Sequence, residues 1–112
     1  MKWGEAASVF AAYGAWRATG SARAGAVLSE ALASDDETNR TAAGMLLLRG
    51  GPKALPLLRA NLERGRAVPM SLRLLGDIGG AHARELIEPY TRHTDASIVR
   101  AAQDALAAAA AR

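Results

Sequence analysis

The sequence predicts an all-α fold built from repeated helix pairs, and three observations carry that reading. Half of the 112 residues are apolar and alanine dominates them, which suits closely packed helices rather than β-branched strands. The stretch from Ser71 to Ile87 reads as helix, tight turn, helix. In it Leu72, Leu75 and Ile78, then Leu86, Ile87 and the following Tyr90, recur at helical spacing on either side of Gly79-Gly80, which can take the positive φ of a turn. The third observation is repetition. Gly44 through Leu62 aligns with Gly14 through Leu32 at an offset of 30, setting Gly50 on Gly20, Lys53 on Arg23, Leu57-Leu58 on Val27-Leu28, and Leu62 on Leu32. A further offset of 29 sets Leu75 on Leu46, Gly79-Gly80 on Gly50-Gly51, and Leu86-Ile87 on Leu57-Leu58; 31 more brings Leu106 onto Leu75.

A single helix pair cannot bury its apolar stripe alone, so stacked neighbours of the same kind are implied. The expected organisation is one domain over 1–112, with repeats at about 3–33, 34–63 and 64–94 and a half repeat at 95–112, seven helices in all. The chain is long enough for a core and too short for a second domain. At this level it resembles the HEAT-like repeats named after phycobilisome lyases. The residues that carry the resemblance are Asp95-Ala96-Ser97-Ile98-Val99-Arg100-Ala101-Ala102, Leu75-Gly76-Asp77-Ile78-Gly79 and Lys53-Ala54-Leu55-Pro56-Leu57-Leu58. It covers nearly the whole chain, departing at Pro69, where that family's pattern has Arg, and in the aromatics of the first helix. The resemblance implies a short right-handed α-solenoid of about three and a half helix pairs and an interaction surface, with little about chemistry.

The first helix is expected from about Trp3 to Ala18, with Trp3, Ala6, Val9, Phe10, Tyr13 and Trp16 on one broad stripe. Four of the five aromatics lie here, as an end cap over the core or as a docking face built on Trp3 and Phe10. Gly20-Ser21 turns the chain into a helix from about Ala22 to Ala33 that buries Val27, Leu28 and Leu32. Ser34-Asp35-Asp36-Glu37 supplies an N-cap and acids for the third helix, about Asp36 to Arg49, which is expected to bury Ala42, Met45, Leu46 and Leu48. Gly50-Gly51 stops it. Pro52, Pro56 and Pro69 fall in first turns, where a missing amide proton costs little, whereas Pro89 should kink or end the sixth helix after Ile87. The last helix, Ala96 to about Ala110, ends in alanines with strong helix propensity. Val27, Leu28, Leu46, Leu57, Leu58, Leu62, Leu72, Leu75, Leu86, Ile87 and Leu106 form the expected core.

Function classes narrow by elimination. With no cysteine there is no disulfide framework, thiolate metal site or cysteine nucleophile, and the cytoplasm is the default compartment. Lys2, the apolar run Ala6 to Trp16 and Ala22-Arg23-Ala24 imitate a signal peptide, but Glu5 interrupts the run and the segment completes the first repeat. No apolar stretch reaches the roughly 18 to 20 residues that span a bilayer. His82 and His93 stand eleven apart, not at the i,i+4 spacing of a helical metal pair, so no metal or cofactor is expected. HEAT-like iron hydroxylases carry adjacent His-Glu pairs, which this chain lacks. Gly50-Gly51-Pro52-Lys53 lacks the glycine spacing and Ser/Thr of a phosphate loop, and Glu85 with Glu88 reads as a solvated face. No enzymatic activity is expected.

Charge leaves two readings. The formal net charge is +3, concentrated in residues 49–73, where Arg49, Lys53, Arg59, Arg64, Arg66 and Arg73 face Glu63 alone. This basic belt, chiefly Lys53, Arg59, Arg64 and Arg66, would serve nucleic-acid binding of the kind that HEAT-like alkylpurine glycosylases show. Stacked repeats would instead set Arg64-Gly65-Arg66 beside Asp35-Asp36-Glu37 and Asp95, neutralising it. The expected function is therefore a non-catalytic scaffold or adaptor that binds another protein through the ridge of its second helices. Rotation by 100° per residue puts Pro56, Arg59, Ala60 and Glu63 opposite the core residues Ala54, Leu57, Leu58, Asn61 and Leu62. The equivalent ridge positions are Ala26, Ser29, Glu30 and Ala33 before them and Glu85, Glu88, Pro89 and Arg92 after, and Arg59 and Arg92 can make bidentate pairs with carboxylates. Self-association through the first helix is the competing contact.

Overall fold

A computed structural model describes the backbone of residues 3–111 and the side chains of residues 7–111. Every regular element in it is helical: α1 (Trp3–Thr19), α2 (Ala22–Leu32), α3 (Glu37–Gly50), α4 (Leu55–Arg64), α5 (Val68–Ile78), α6 (Ala81–Ile87) and α7 (Ala96–Ala110). Short 3-10 turns cover Gly51–Ala54 before α4 and Glu88–Arg92 after α6. The chain divides into two compact units, Met1–Gly50 and Gly51–Arg112.

In the first unit α1, α2 and α3 each touch the other two. Local chemistry sets their ends. Ser21 Oγ accepts the Ala24 amide to cap α2, and Asp36 Oδ1 accepts the amides of Thr38 (2.8 Å) and Asn39 (3.2 Å) to cap α3, satisfying donors that have no partner inside the helix. The Arg40 guanidinium reaches back to the Ser34 and Asp35 carbonyls at 2.8 Å each, bracing that turn. Val9, Ala12, Trp16, Ala24, Leu28, Leu32, Ala43, Leu46 and Leu47 are buried, and the Tyr13 and Trp16 rings lie tilted, 6.0 Å apart.

Several expected burials fail here. Met45 and Leu48 are 67% and 40% exposed, Ala42 is only half-buried, and Phe10, 57% exposed, does not close the core as an end cap would. The register of α3 is decided by its small residues: Asn39, Ala43, Gly44, Leu46, Leu47 and Gly50 face inward. A Cβ on Gly44 would make ordinary van der Waals contact, 3.8 Å, with the Leu32 side chain of α2. The four apolar residues from Met45 to Leu48 wrap most of the way round the helix, and they cannot all follow. Val27, from the expected core, is only half-buried. Trp3's side chain lies outside the described residues.

In the second unit α5 is the centre, touching α4, α6 and α7, with α7 its most extensive neighbour. Gly79 and Gly80 adopt φ of 74° and 90° and carry the chain from α5 into α6 in two residues, a geometry other residue types rarely adopt. Gly76 matters for a different reason. A Cβ there would lie 2.7 Å from the Ala105 carbonyl oxygen and 2.8 Å from Ala105 Cα, so α5 and α7 cross with backbone nearly on backbone. Ala102, Ala105 and Ala109 on α7 are buried along the same helix, which accounts for the choice of alanine over leucine there. Ala54, Leu58, Leu62, Val68, Leu72, Leu74, Leu75, Ala83 and Ile87 complete the buried set. Leu57, Leu86 and Leu106 are half-buried instead of sealed. Pro89 ends α6 at Ile87, and the chain tightens into the 3-10 turn. Asp95 caps α7: Oδ1 accepts the Ser97 amide at 2.8 Å and the Ser97 hydroxyl at 2.7 Å.

Candidate interaction groove between α4 and α6

The outward faces of α4 and α6 in the second unit enclose a groove of about 600 Å³. Its lining is Pro52, Leu55, Pro56, Arg59, Ala60, Glu63, His82, Glu85 and Leu86. The helical period produces it directly. Ala54, Leu58, Asn61 and Leu62 point into the core, so Pro56, Arg59, Ala60 and Glu63 line the opposite side of α4. A smaller groove of about 250 Å³ continues from the first, sharing Arg59, Glu63, Glu85 and Leu86 and reaching Pro89, Tyr90 and His93.

The groove mixes apolar and charged side chains. Arg59 Nε donates to Glu63 Oε1 at 2.8 Å along α4, and Arg92 donates to Glu88 Oε1 at 3.2 Å along the 3-10 turn. His82 Nδ1 stands 3.8 Å from Glu85 Oε2. All of these side chains are exposed, and exposed i,i+4 pairs contribute about 0.3–0.5 kcal/mol, so each pairing can be exchanged for an incoming group at small cost. At the far end Tyr90 and His93 stack with ring centroids 6.2 Å apart at 13°. Residues three apart eclipse in a 3-10 turn, and His93 Nδ1 also accepts the Asp95 amide at 3.0 Å, which holds the ring in place.

The residues expected to bind a partner therefore divide as follows. Arg59, Glu63 and Glu85 meet across one groove, and Glu88 and Arg92 flank it as a pair. Arg59 and Arg92 each have an acid one turn away, as i,i+4 spacing allows, and both pairs are exposed. On α2, Glu30 is exposed and Ala26 and Ala33 are half-buried, but Ser29 is buried, its hydroxyl donating to the Gly25 carbonyl at 3.1 Å, so it is no ridge residue. Of the basic belt, Arg49 lies in the first unit, while Lys53, Arg64, Arg66 and Arg73 are exposed in the second. Sequence reasoning missed His82, Leu55, Leu86, Tyr90 and His93 as groove lining. The His82/Glu85 and Tyr90/His93 spacings of three were visible, but the 3-10 geometry that aligns the second pair depends on where α6 stops.

Among the described residues, no group of three or more His, Asp or Glu could hold a metal ion, and no helix is long and apolar enough to cross a membrane. No known protein family, curated protein or solved structure matches this chain.

Proposed function

We propose that this chain is a non-catalytic, HEAT-like α-solenoid module that binds another protein through the α4–α6 groove. The observation that carries the reading is the makeup of the groove, which sets the apolar Leu55, Leu86, Pro52, Pro56 and Ala60 among the charged or polar Arg59, Glu63, His82 and Glu85. Protein interfaces likewise combine apolar and polar groups, and a groove walled by helices costs little ordering on binding. The mixed signs favour a polar segment of a protein over a phosphate backbone, which would select for uniform positive charge. The solenoid arrangement is supported by the offsets of 30, 29 and 31 and by the recurrence of helix, glycine turn and helix.

The test begins with a partner captured on the full chain and its affinity titrated with purified components. Arg59→Glu combined with Arg92→Glu should weaken that affinity about tenfold or more, the scale of losing one well-placed charged contact, with the helical spectrum and melting point unchanged. Silent reversals, together with loss of the complex on Phe10→Ala, would move the interface to α1. Sub-micromolar DNA binding at physiological salt that Arg64→Ala and Arg66→Ala abolish would replace protein binding with nucleic-acid binding.

A further inference from the structure

Among the described residues the large apolar side chains left exposed are Phe10, Met45 and Leu48. All three line one groove of about 410 Å³ on the first unit, together with Ala42, Leu46 and Arg49. The outer face of α1 beside it is equally apolar: Ala7, Ala11, Gly14, Ala15 and Ala18 are exposed, and no charged residue occurs between Ala6 and Trp16. A helix face so poor in charge and so rich in exposed alanine is suited to being covered. The face is also open to close approach, since nothing lies within 4 Å of where a Gly14 Cβ would be.

We propose that two copies of this chain pair through this face, the Phe10 ring of each seating in the α1–α3 groove of the other. A two-fold contact requires a patch that complements itself, and this one carries both the projecting ring and the hollow. Charge selects the same occupant. Residues 1–50 hold five basic and five acidic side chains, whereas the net +3 of the chain resides after Gly50, so copies joined through the first unit bring no net charge together. The groove itself contains a single charge, Arg49, which leaves little to attract a strongly charged partner. Helices that lie on lipid surfaces need a strongly charged face opposite the apolar one, and α1 has none. An aromatic ring contributes roughly 150–250 Å² to an interface, and a stable contact needs about 800 Å² from each partner. Phe10, Met45, Leu48 and the alanine face of α1 therefore make a dimer of the weak, concentration-dependent class.

Sedimentation equilibrium of the full chain from micromolar to millimolar concentration reads the result. The expected mass rises toward twice that of the chain, and Phe10→Glu raises the dissociation constant about tenfold or more with an unchanged helical spectrum, the effect of removing an interface anchor. Should Phe10→Glu unfold the chain, Met45→Glu carries the same test from a position already in solvent. Because the chain has no cysteine, Met45→Cys should oxidise to a linked dimer faster than Thr94→Cys, an exposed control in the second unit. A chain that stays single at millimolar concentration overturns the proposal, as does a dimer indifferent to both glutamate substitutions. A monomer that cosediments with phosphatidylcholine vesicles through Phe10 identifies a lipid occupant and overturns it too.

Discussion

Gly14 in α1 and Gly76 in α5 both occupy helix interiors, and the two units use them in opposite ways. Around Gly14 there is open space; at Gly76 the backbone of Ala105 stands where a side chain would go. The first unit fills its core with large side chains, Trp16, Leu28, Leu32, Leu46 and Leu47, and leaves Phe10, Met45 and Leu48 outside. The second brings α5 and α7 together on glycine and alanine and, among the described residues, exposes no large apolar side chain. A helical glycine is thus a mere loss of propensity in one place and a packing requirement in the other.

Substitutions separate the two units. The largest effect should come from Leu75→Ala in the second unit and from Leu28→Ala in the first. Both residues are fully buried, and such truncations cost about 2–5 kcal/mol. A Leu75→Ala chain that melts within a degree of the parent would remove α5 from the centre of its unit. Next is Gly76→Ala, where one methyl group meets rigid backbone; overpacking of this kind costs about 1–3 kcal/mol. Gly14→Ala has the opposite sign. It should stabilise by about 0.5–1 kcal/mol, because alanine restricts the unfolded chain and meets no atom in the fold. Denaturant titration of the two alanine variants side by side sharpens the contrast, and equal shifts of the same sign would refute it.

The smallest effect depends on pH. Hydrogen bonds from the Ser97 hydroxyl and then the Ser97 amide hold the Asp95 carboxyl below its ordinary pKa. The folded state thus favours the carboxylate, so the cap of α7 contributes above the ordinary aspartate pKa of about 3.9 and fades as pH falls through the lowered folded value. Asp95→Asn should flatten that acid limb of the stability profile slightly. An unchanged profile would mean the cap contributes nothing measurable.

Much of the fold could be read along the chain. Leu72, Leu75 and Ile87 recur at spacings that place them inside any helix, Gly79-Gly80 announces its turn, and Pro89 ends α6 where it must. The α4 half of the groove was legible for the same reason, since knowing that Leu58 and Leu62 are buried puts Arg59 and Glu63 outside. The α3 register was not. Four consecutive apolar residues offer several inward faces with similar burial, and packing of α3 against α1 and α2 turned Leu46 and Leu47 inward and Met45 and Leu48 out.

The turn Ser34-Asp35-Asp36-Glu37 likewise offered more than one N-cap, and it is Asp36 that caps α3. A one-residue shift in a turn leaves the composition intact and changes which carboxylate meets the helix. Periodicity, turns and charge pairs one helical turn apart are local properties, so residue order fixes them. The meeting of Gly76 with Ala105, the outward turn of Met45 and the stacking of Tyr90 on His93 depend on interhelical distance or on where a helix stops, and those follow from packing among neighbours.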